Sequence, residues 1–327
     1  MTVAERKALC RGLAAFTAAT IAGGAALPAL AQDPAILEEI LVTARKKEES
    51  IQEVPVAVTA ISASMIQSMN LQNLDDIAKY TAGLTFDPEF SRTSNRPVIR
   101  GQANILCDSG VSYFIDGVYI TGSINDYDIN DIERMEVVKG PQSALYGRNT
   151  YSGAINIITK SPQEGFNARA QIQVSDDDQQ QISASIGGKA GAWGFGLTGR
   201  YYELDSPWTT DFDNRKVGQQ ESSSLSGVLM FEPGERFSGR LRAYYNETRD
   251  GQPPLFAQPA SFNNCFEDNG SLYAGLGRYY CGKVEPRPLT TDFSRQAPDA
   301  RDENDTLQVS LALDFGLTDN LTLTSIT

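Results

Sequence analysis

The chain has 327 residues, with 28 basic against 41 acidic side chains, no histidine, four cysteines and 41% apolar residues. Without histidine, Ser-His-Asp and Cys-His nucleophile systems, His-ligated metals and haem on a proximal histidine are excluded, so an enzyme would run on carboxylates, Lys or Tyr. The net charge of −13 argues against a nucleic-acid partner, because phosphate binding rests on concentrated Lys and Arg.

In chain order, Arg6, Lys7 and Arg11 make a basic start, and Leu13 to Leu27 is a short, Ala-rich apolar stretch. Ala29-Leu30-Ala31 then forms an A-x-A site before Gln32. This predicts a secretory signal peptide over residues 1–31, cleaved between Ala31 and Gln32. The apolar run is too short for a transmembrane helix and is broken by Gly23, Gly24 and Pro28. Cys10 lies within the leader, so three cysteines enter an oxidising compartment. Cys265 and Cys281 share one polar, Gly-rich stretch and are expected to form a disulfide, which leaves Cys107 over.

From Gln32 to Ser50 the chain reads as a mobile, charged arm with one strand-like cluster, Glu39-Ile40-Leu41-Val42-Thr43-Ala44. Residues 54–162 are mixed α and β. Val54, Val56 and Val58 alternate as in a strand; Ser62 caps a short helix with Met65, Ile66 and Met69; Asn73 opens a second with Leu74, Ile77 and Ala78, closed near Gly83. Strands are predicted at Pro97–Arg100, Val111–Ile115, Val118–Ile120, Glu133–Val138 and Ala154–Thr159, with Asp116-Gly117 as a two-residue hairpin turn.

After Gly165 a period of two takes over. Phe166, Ala168, Ala170, Ile172 and Val174 point one way while Asn167, Arg169, Gln171 and Gln173 point the other. Seven such strands are predicted up to the run that starts at Leu321. Their connections are tight at 187–192, 232–235 and 316–320, and long and polar at 204–221 and 247–304. Short turns alternating with long loops, and strands with one apolar and one polar face, are the signature of an outer-membrane barrel. A soluble β-sandwich also alternates. Aromatics near strand ends (Trp193, Tyr201, Tyr202, Phe231, Tyr244, Tyr245) and the leader favour the membrane version.

These residues together resemble one family, the TonB-dependent outer-membrane receptors of Gram-negative bacteria. Glu39, Ile40, Leu41, Val42, Thr43 and Ala44 resemble its TonB box, beside an Arg45-to-Pro55 stretch of the style seen in sphingomonad and Caulobacter relatives. Ile99-Arg100-Gly101 matches the plug's Ile-Arg-Gly motif, and Phe114 to Tyr119, with Asp116 and Gly117, its Asp-Gly-Val hairpin. Ile132-Glu133-Arg134-Met135-Glu136-Val137-Val138-Lys139-Gly140-Pro141 is the most specific match, continued by Tyr146-Gly147-Arg148 and by Gly153 to Lys160. Lys139 stands where Arg is usual, Ser152 where Gly is usual, and Cys107 is outside the pattern.

The resemblance implies an α+β plug domain (50–162) after a periplasmic arm (32–49), then antiparallel transmembrane β-barrel strands (163–327), in the cell outer membrane. It implies three partners: TonB with its inner-membrane proton-driven complex, outer-membrane lipid, and a small solute such as a ferric siderophore, with carbohydrates and aromatic compounds as alternatives. No cofactor and no metal site are expected. A signal-transducing receptor is disfavoured because few residues separate Gln32 from Glu39, and a secreted carboxylate-only enzyme with a β-domain is the rival from another class. Some of Arg100, Glu133, Arg134, Glu136, Lys139 and Arg148 are expected to face the barrel lumen and hold the plug through ion pairs. Ligand contacts are expected at 86–96, 102–110, 122–128 and 247–304. Gly140 to Gly147 lacks the Gly-Lys-Ser/Thr ending of a phosphate loop, and Asn125, Asp126, Asp128, Asn130 and Asp131 lack calcium-loop spacing and read as solvated loop. A family barrel of about 22 strands would leave about seven residues per strand here, below the roughly 9 to 11 that span a membrane. The chain is therefore expected to be a fragment with about a third of its barrel.

Overall fold

The computed structural model describes residues 40–251 and 301–327, except 45, 48, 88–91, 93–94, 104–108, 122–123, 125–126, 177, 207 and 210–213. The leader, its cleavage site, Glu39 and all four cysteines lie outside the described residues.

The plug begins where short-range signals are strongest. Strand β3 (Ala57–Ser62) runs into helix α1 (Ala63–Ser68), whose first turn is capped by Ser62 accepting from Met65 N at 3.3 Å. Asn73 caps α2 (Leu74–Lys79), which has Asp75 and Asp76 in its first turn and Lys79 in its last, matching the helix dipole. The pair β4 (Leu84–Asp87) and β5 (Arg96–Ile99) lies beside these helices, followed by β6 (Val111–Ile115), β7 (Val118–Ile120), β8 (Ile132–Lys139), the short helix α3 (Ser143–Tyr146) and β9 (Gly153–Thr159). The sheet order is β3-β8-β9-β6-β7, with only the β6–β9 pair parallel.

Asp116 and Gly117 turn β6 into β7 at φ 48° and 81°, as the hairpin signal requires. Ile66, Leu74, Ile77, Ile99, Met135 and Ile155 meet in one core, worth roughly 1.5–3 kcal/mol per buried side chain. At Gly153 a Cβ would lie 2.4 Å from Val138 O and 2.7 Å from Ile99 Cδ1, so β9 can start this close to β8 only with glycine. β4 and α3 carry no periodic run long enough to announce them; β4 forms by pairing with β5, and α3 is seated by the one buried side chain of Tyr146.

Seven further strands form one antiparallel sheet in chain order: β10 (Gly165–Val174), β11 (Gln179–Ala190), β12 (Trp193–Leu204), β13 (Gln220–Gly234), β14 (Phe237–Gly251), β15 (Arg301–Thr318) and β16 (Leu321–Ile326). Its burial is inverted. Phe166, Ile172 and Leu307 are 71–72% exposed, whereas Gln181, Ser183, Ser222, Arg242, Asn246 and Asp250 are buried against the plug side. Two-residue turns (191–192, 235–236, 319–320) sit at one end, where Trp193, Phe231, Phe237 and Phe315 form a row with successive ring centroids 4.4, 6.2 and 5.1 Å apart.

One boundary is corrected. The segment 247–304, expected to be loop, is strand at both ends, because Glu247–Gly251 pair in register with Arg301–Asp305, and the residues between lie outside the described ones. A ladder closes main-chain hydrogen bonds whatever its side chains, so polar residues prolong a strand beyond the apolar band.

Candidate functional site

Two polar clusters stand out, one holding the arm to the plug and the other holding the plug to the wall sheet.

In the first, Leu41–Val42 (β1) pair with Glu49–Ser50 (β2), and Ile51 N donates to Ile40 O at 3.0 Å. Val42 and Ala44 are fully buried in a small apolar cluster with Val54, Ala60 and Val138. Between them Thr43 meets Glu136, a fully buried carboxylate at the middle of β8. Thr43 N donates to both Glu136 oxygens at 2.9 Å and Thr43 Oγ1 lies 3.1 Å from each, while Arg134 Nε donates to Glu136 Oε1 at 2.9 Å. Asn156 Nδ2 donates to Thr43 Oγ1 at 2.9 Å, and Tyr146 OH donates to Ala44 O at 3.0 Å. Burial, with the Glu136 charge nearby, pushes the Tyr146 hydroxyl up to about 12, so it stays a donor throughout the physiological range. Residues 40–44 of the arm thus lie on the plug, and the buried Glu136 carboxylate beneath them is stabilised by converging donors, which a charge away from water requires.

The second cluster corrects the expected set of plug-holding charges. Arg134 pairs with Glu133 and Glu136 inside the plug, and Lys139 Nζ donates to Ala82 O at 2.6 Å, so these charges serve the plug itself. Burial, with Arg100 nearby, lowers the Lys139 ammonium from its ordinary value. Arg100 and Gly101 form a left-handed turn at φ 54° and 74°, with Arg100 N donating to Gly83 O at 2.8 Å. Gly140 and Gly147 also turn at positive φ, Pro141 is exposed between them, and Arg148 offers its carbonyl to Ser112 Oγ at 3.3 Å.

Contacts to the wall come from other residues. Asp131 Oδ2 accepts from Arg242 Nη2 at 2.7 Å, Ser226 Oγ at 2.9 Å and Tyr127 OH at 3.0 Å, and Arg242 lies against the rings of Tyr127 and Tyr244. Arg240 Nη2 donates to Thr159 Oγ1 at 2.6 Å and Lys160 O at 3.1 Å, beside Asp116, which accepts from Thr159 N at 2.9 Å. Arg92 grips Asp250 with two bonds, at 3.0 and 2.8 Å. Asp128 is 1% exposed, caps the turn at Ile129–Asp131 and accepts from Ser224 Oγ at 3.4 Å. Asp128 and Asp131 are thus buried anchors, not solvated loop. Nothing in their spacing announces this, because their partners lie about a hundred residues later. Among the described residues, no group of three or more Cys, Asp or Glu side chains is placed to hold a metal ion. Most of the expected ligand-contact segments lie outside the described residues.

Comparison with known proteins assigns this architecture. Residues 50–154 match the family model described as TonB-dependent Receptor Plug Domain. The vitamin B12 transporter BtuB of Vibrio vulnificus is 30% identical over 161 residues, covering 47% of this chain and 26% of that protein. The probable TonB-dependent siderophore receptor PiuA of Acinetobacter baumannii is 27% identical over 281 residues, covering 84% of this chain and 34% of that protein. The crystal structure of the ferric yersiniabactin uptake receptor FyuA from Yersinia pestis shares the fold, with a TM-score of 0.65 at 18% identity over 83% of this chain and 40% of that one. The chain spans 26% and 34% of the length of these two curated relatives. Residues 50–154 are a plug domain of the TonB-dependent receptor type, and the seven-stranded sheet corresponds to part of such a receptor's barrel. This is the fold of outer-membrane receptors of Gram-negative bacteria.

Proposed function

We propose that this chain forms the plug and early barrel strands of an importer for a scarce solute, driven through TonB by the inner-membrane proton gradient, with a ferric siderophore as leading cargo. The observation that carries this reading is a plug held to the polar face of an inside-out sheet, with its preceding arm held separately on Glu136. A part that must stay seated and a part that must come free are thereby kept on different contacts. The segment Glu39–Ala44 recruits TonB by strand addition, for which apolar and β-branched residues supply main-chain pairing and alternate side chains supply selectivity. The cleaved leader (1–31), the arm (32–49), the plug extending to 162, the barrel from 163 and the Cys265–Cys281 disulfide belong to the same proposal.

The full-length receptor in its native host tests it. Leu41→Pro or Val42→Pro breaks the strand and is expected to abolish energised uptake while cargo still binds to cells; unchanged uptake in either variant rejects the box. Induction of the gene by iron starvation supports a siderophore. Induction by one sugar or aromatic compound with iron replete rejects it in favour of the second cargo reading, to which the Arg45-to-Pro55 arm style also points.

A further inference from the structure

The seam between plug and wall is uneven in how its charges are paired. On the β13–β14 side the guanidiniums have carboxylates: Arg242 meets Asp131, Arg240 lies 3.6 Å from Asp116, and the plug's Arg92 holds Asp250 with two bonds. On the β10–β12 side two guanidiniums face inward without one. Arg200, half-buried on the inner face of β12 between Ser183 and Ser224, spends its Nε on Gln181 Oε1 at 3.0 Å and lies 4.9 Å from the Tyr202 ring. Arg169 stands in the inner row of β10, opposite Ser185. Among the described residues neither makes an ion pair, and neither the terminal nitrogens of Arg200 nor any side-chain nitrogen of Arg169 has an acceptor within hydrogen-bond distance.

Between these strands and the plug lies a cavity of about 360 Å³, lined by Arg169, Ser185, Thr198 and Ser226 from the wall and by Gln67 and Lys160 from the plug side. Gly187 and Gly196 also line it and put no side chain into it. Its one carboxylate, Asp131, is already taken by Arg242. Lys160 Nζ donates to Asn130 O at 2.6 Å, and burial, with Arg169 nearby, lowers its ammonium from the ordinary value. Two cations thus share a cavity with hydroxyl and amide donors and no counter-charge of their own. An oxyanion would neutralise both and accept paired N–H groups from the planar guanidinium.

We propose that this cavity is an oxyanion site, with Arg169 and Lys160 as its charges and Arg200, one inner-face step farther from the tight turns, as a second cation on the same side of the seam. The inference deepens the importer reading and rests on it, because it makes the cargo an anion, bearing a carboxylate or like oxyanion, and not a neutral carbohydrate.

The test is calorimetric titration of the purified full-length receptor in detergent at low ionic strength, with citrate as the anionic probe and sucrose as the neutral one. Citrate is expected to bind and sucrose not to. Arg169→Gln is expected to weaken citrate binding about ten-fold, and Arg169→Lys to restore part of it. Ser185→Phe, which fills the cavity and leaves every charge in place, is expected to abolish it. A wild-type receptor that binds no citrate, or an unchanged affinity in folded Arg169→Gln, overturns the site. An equal loss in Arg236→Gln, a charge on an exposed turn, also overturns it, since net charge alone would then hold the probe. Should Arg169→Gln not fold, Ser185→Phe decides. Cells test the importer reading separately: if the wild type takes up labelled iron from no ferric chelate, that reading falls, while citrate binding lost in Arg169→Gln still establishes the site. Uptake of a neutral chelate in preference to an anionic one overturns the cargo charge.

Discussion

In the plug, β8 and β9 hide Ile132, Met135, Val137, Ile155 and Ile157; in the wall sheet, β13 and β14 hide Ser222, Ser224, Arg242, Asn246 and Asp250 and turn Leu225, Leu229 and Leu241 outward. The wall strands alternate with a period of two, whereas β8 and β9 are buried on both faces, with Met135, Val137 and Ile155 in the main core and Val138 in the cluster under the arm. Alternation thus marks a strand with two different media on its two sides, and the medium on each side decides which face is the interior. A plug surrounded by water and a polar lumen buries hydrocarbon. A wall facing lipid outward must instead bury its polar side chains, and each of those then needs a partner.

The severest way to break this comparison is to remove a polar partner from the wall. Arg242→Leu strands the carboxylate of Asp131, 6% exposed, and is expected to cost about 3–5 kcal/mol of plug seating. The measure is urea-dependent protease sensitivity of the plug in the full-length receptor. Adding Asp131→Asn should recover most of the loss, because the uncompensated charge and not the missing side chain carries the penalty.

Next come paired substitutions of apolar positions. Ile157→Ala, in the plug core, should destabilise the plug by about 2–5 kcal/mol. Leu229→Arg, on the outer face of the wall, should cost about 2–4 kcal/mol of bilayer insertion if it sits near the midplane, and leave the plug's unfolding midpoint unchanged. Folding yield into lipid vesicles separates the two; an Arg at 229 that inserts normally would place that face out of lipid.

The smallest effect is a pH slope. Burial raises the Asp128 carboxyl above its ordinary 3.8, against the lowering pull of Arg200 and the Asn130 N–H. The folded form then binds more protons than the unfolded one, so stability falls as pH rises through the range just above 3.8. Asp128→Asn, which can still accept from Asn130 N, is expected to flatten that slope in urea titrations run from pH 4 to 7; an unchanged slope assigns it elsewhere.

Much of this was legible in the sequence where the cause is local. Ser62 and Asn73 cap their helices through bonds spanning three residues, Asp116-Gly117 turns on its own dihedral preferences, and the seven wall strands follow from side-chain alternation. The candidate sites were legible only in part. Glu136 stands in a recognisable motif, yet its partner Thr43 is 93 residues away, and Asp131 finds Arg242 at a separation of 111. A charge in a strand carries no mark of which distant group neutralises it. That is why Arg134 and Glu136, two of the six charges among which some wall contacts are expected, lie under the arm, and why Arg240, Arg242 and Arg92 are not singled out by the sequence.

The link between β9 and β10 limits how far the plug can travel. Residues 160–164 join Thr159 to Gly165, and at ~3.3–3.6 Å per extended residue they reach about 17 Å. One margin of the plug is therefore leashed to the first wall strand by covalent chain, while Asp131, Asp128 and Arg92 hold it to β13 and β14 through side-chain contacts alone. A plug that lost those contacts would stay within that short reach of its seat, so reseating is an intramolecular step at high effective concentration.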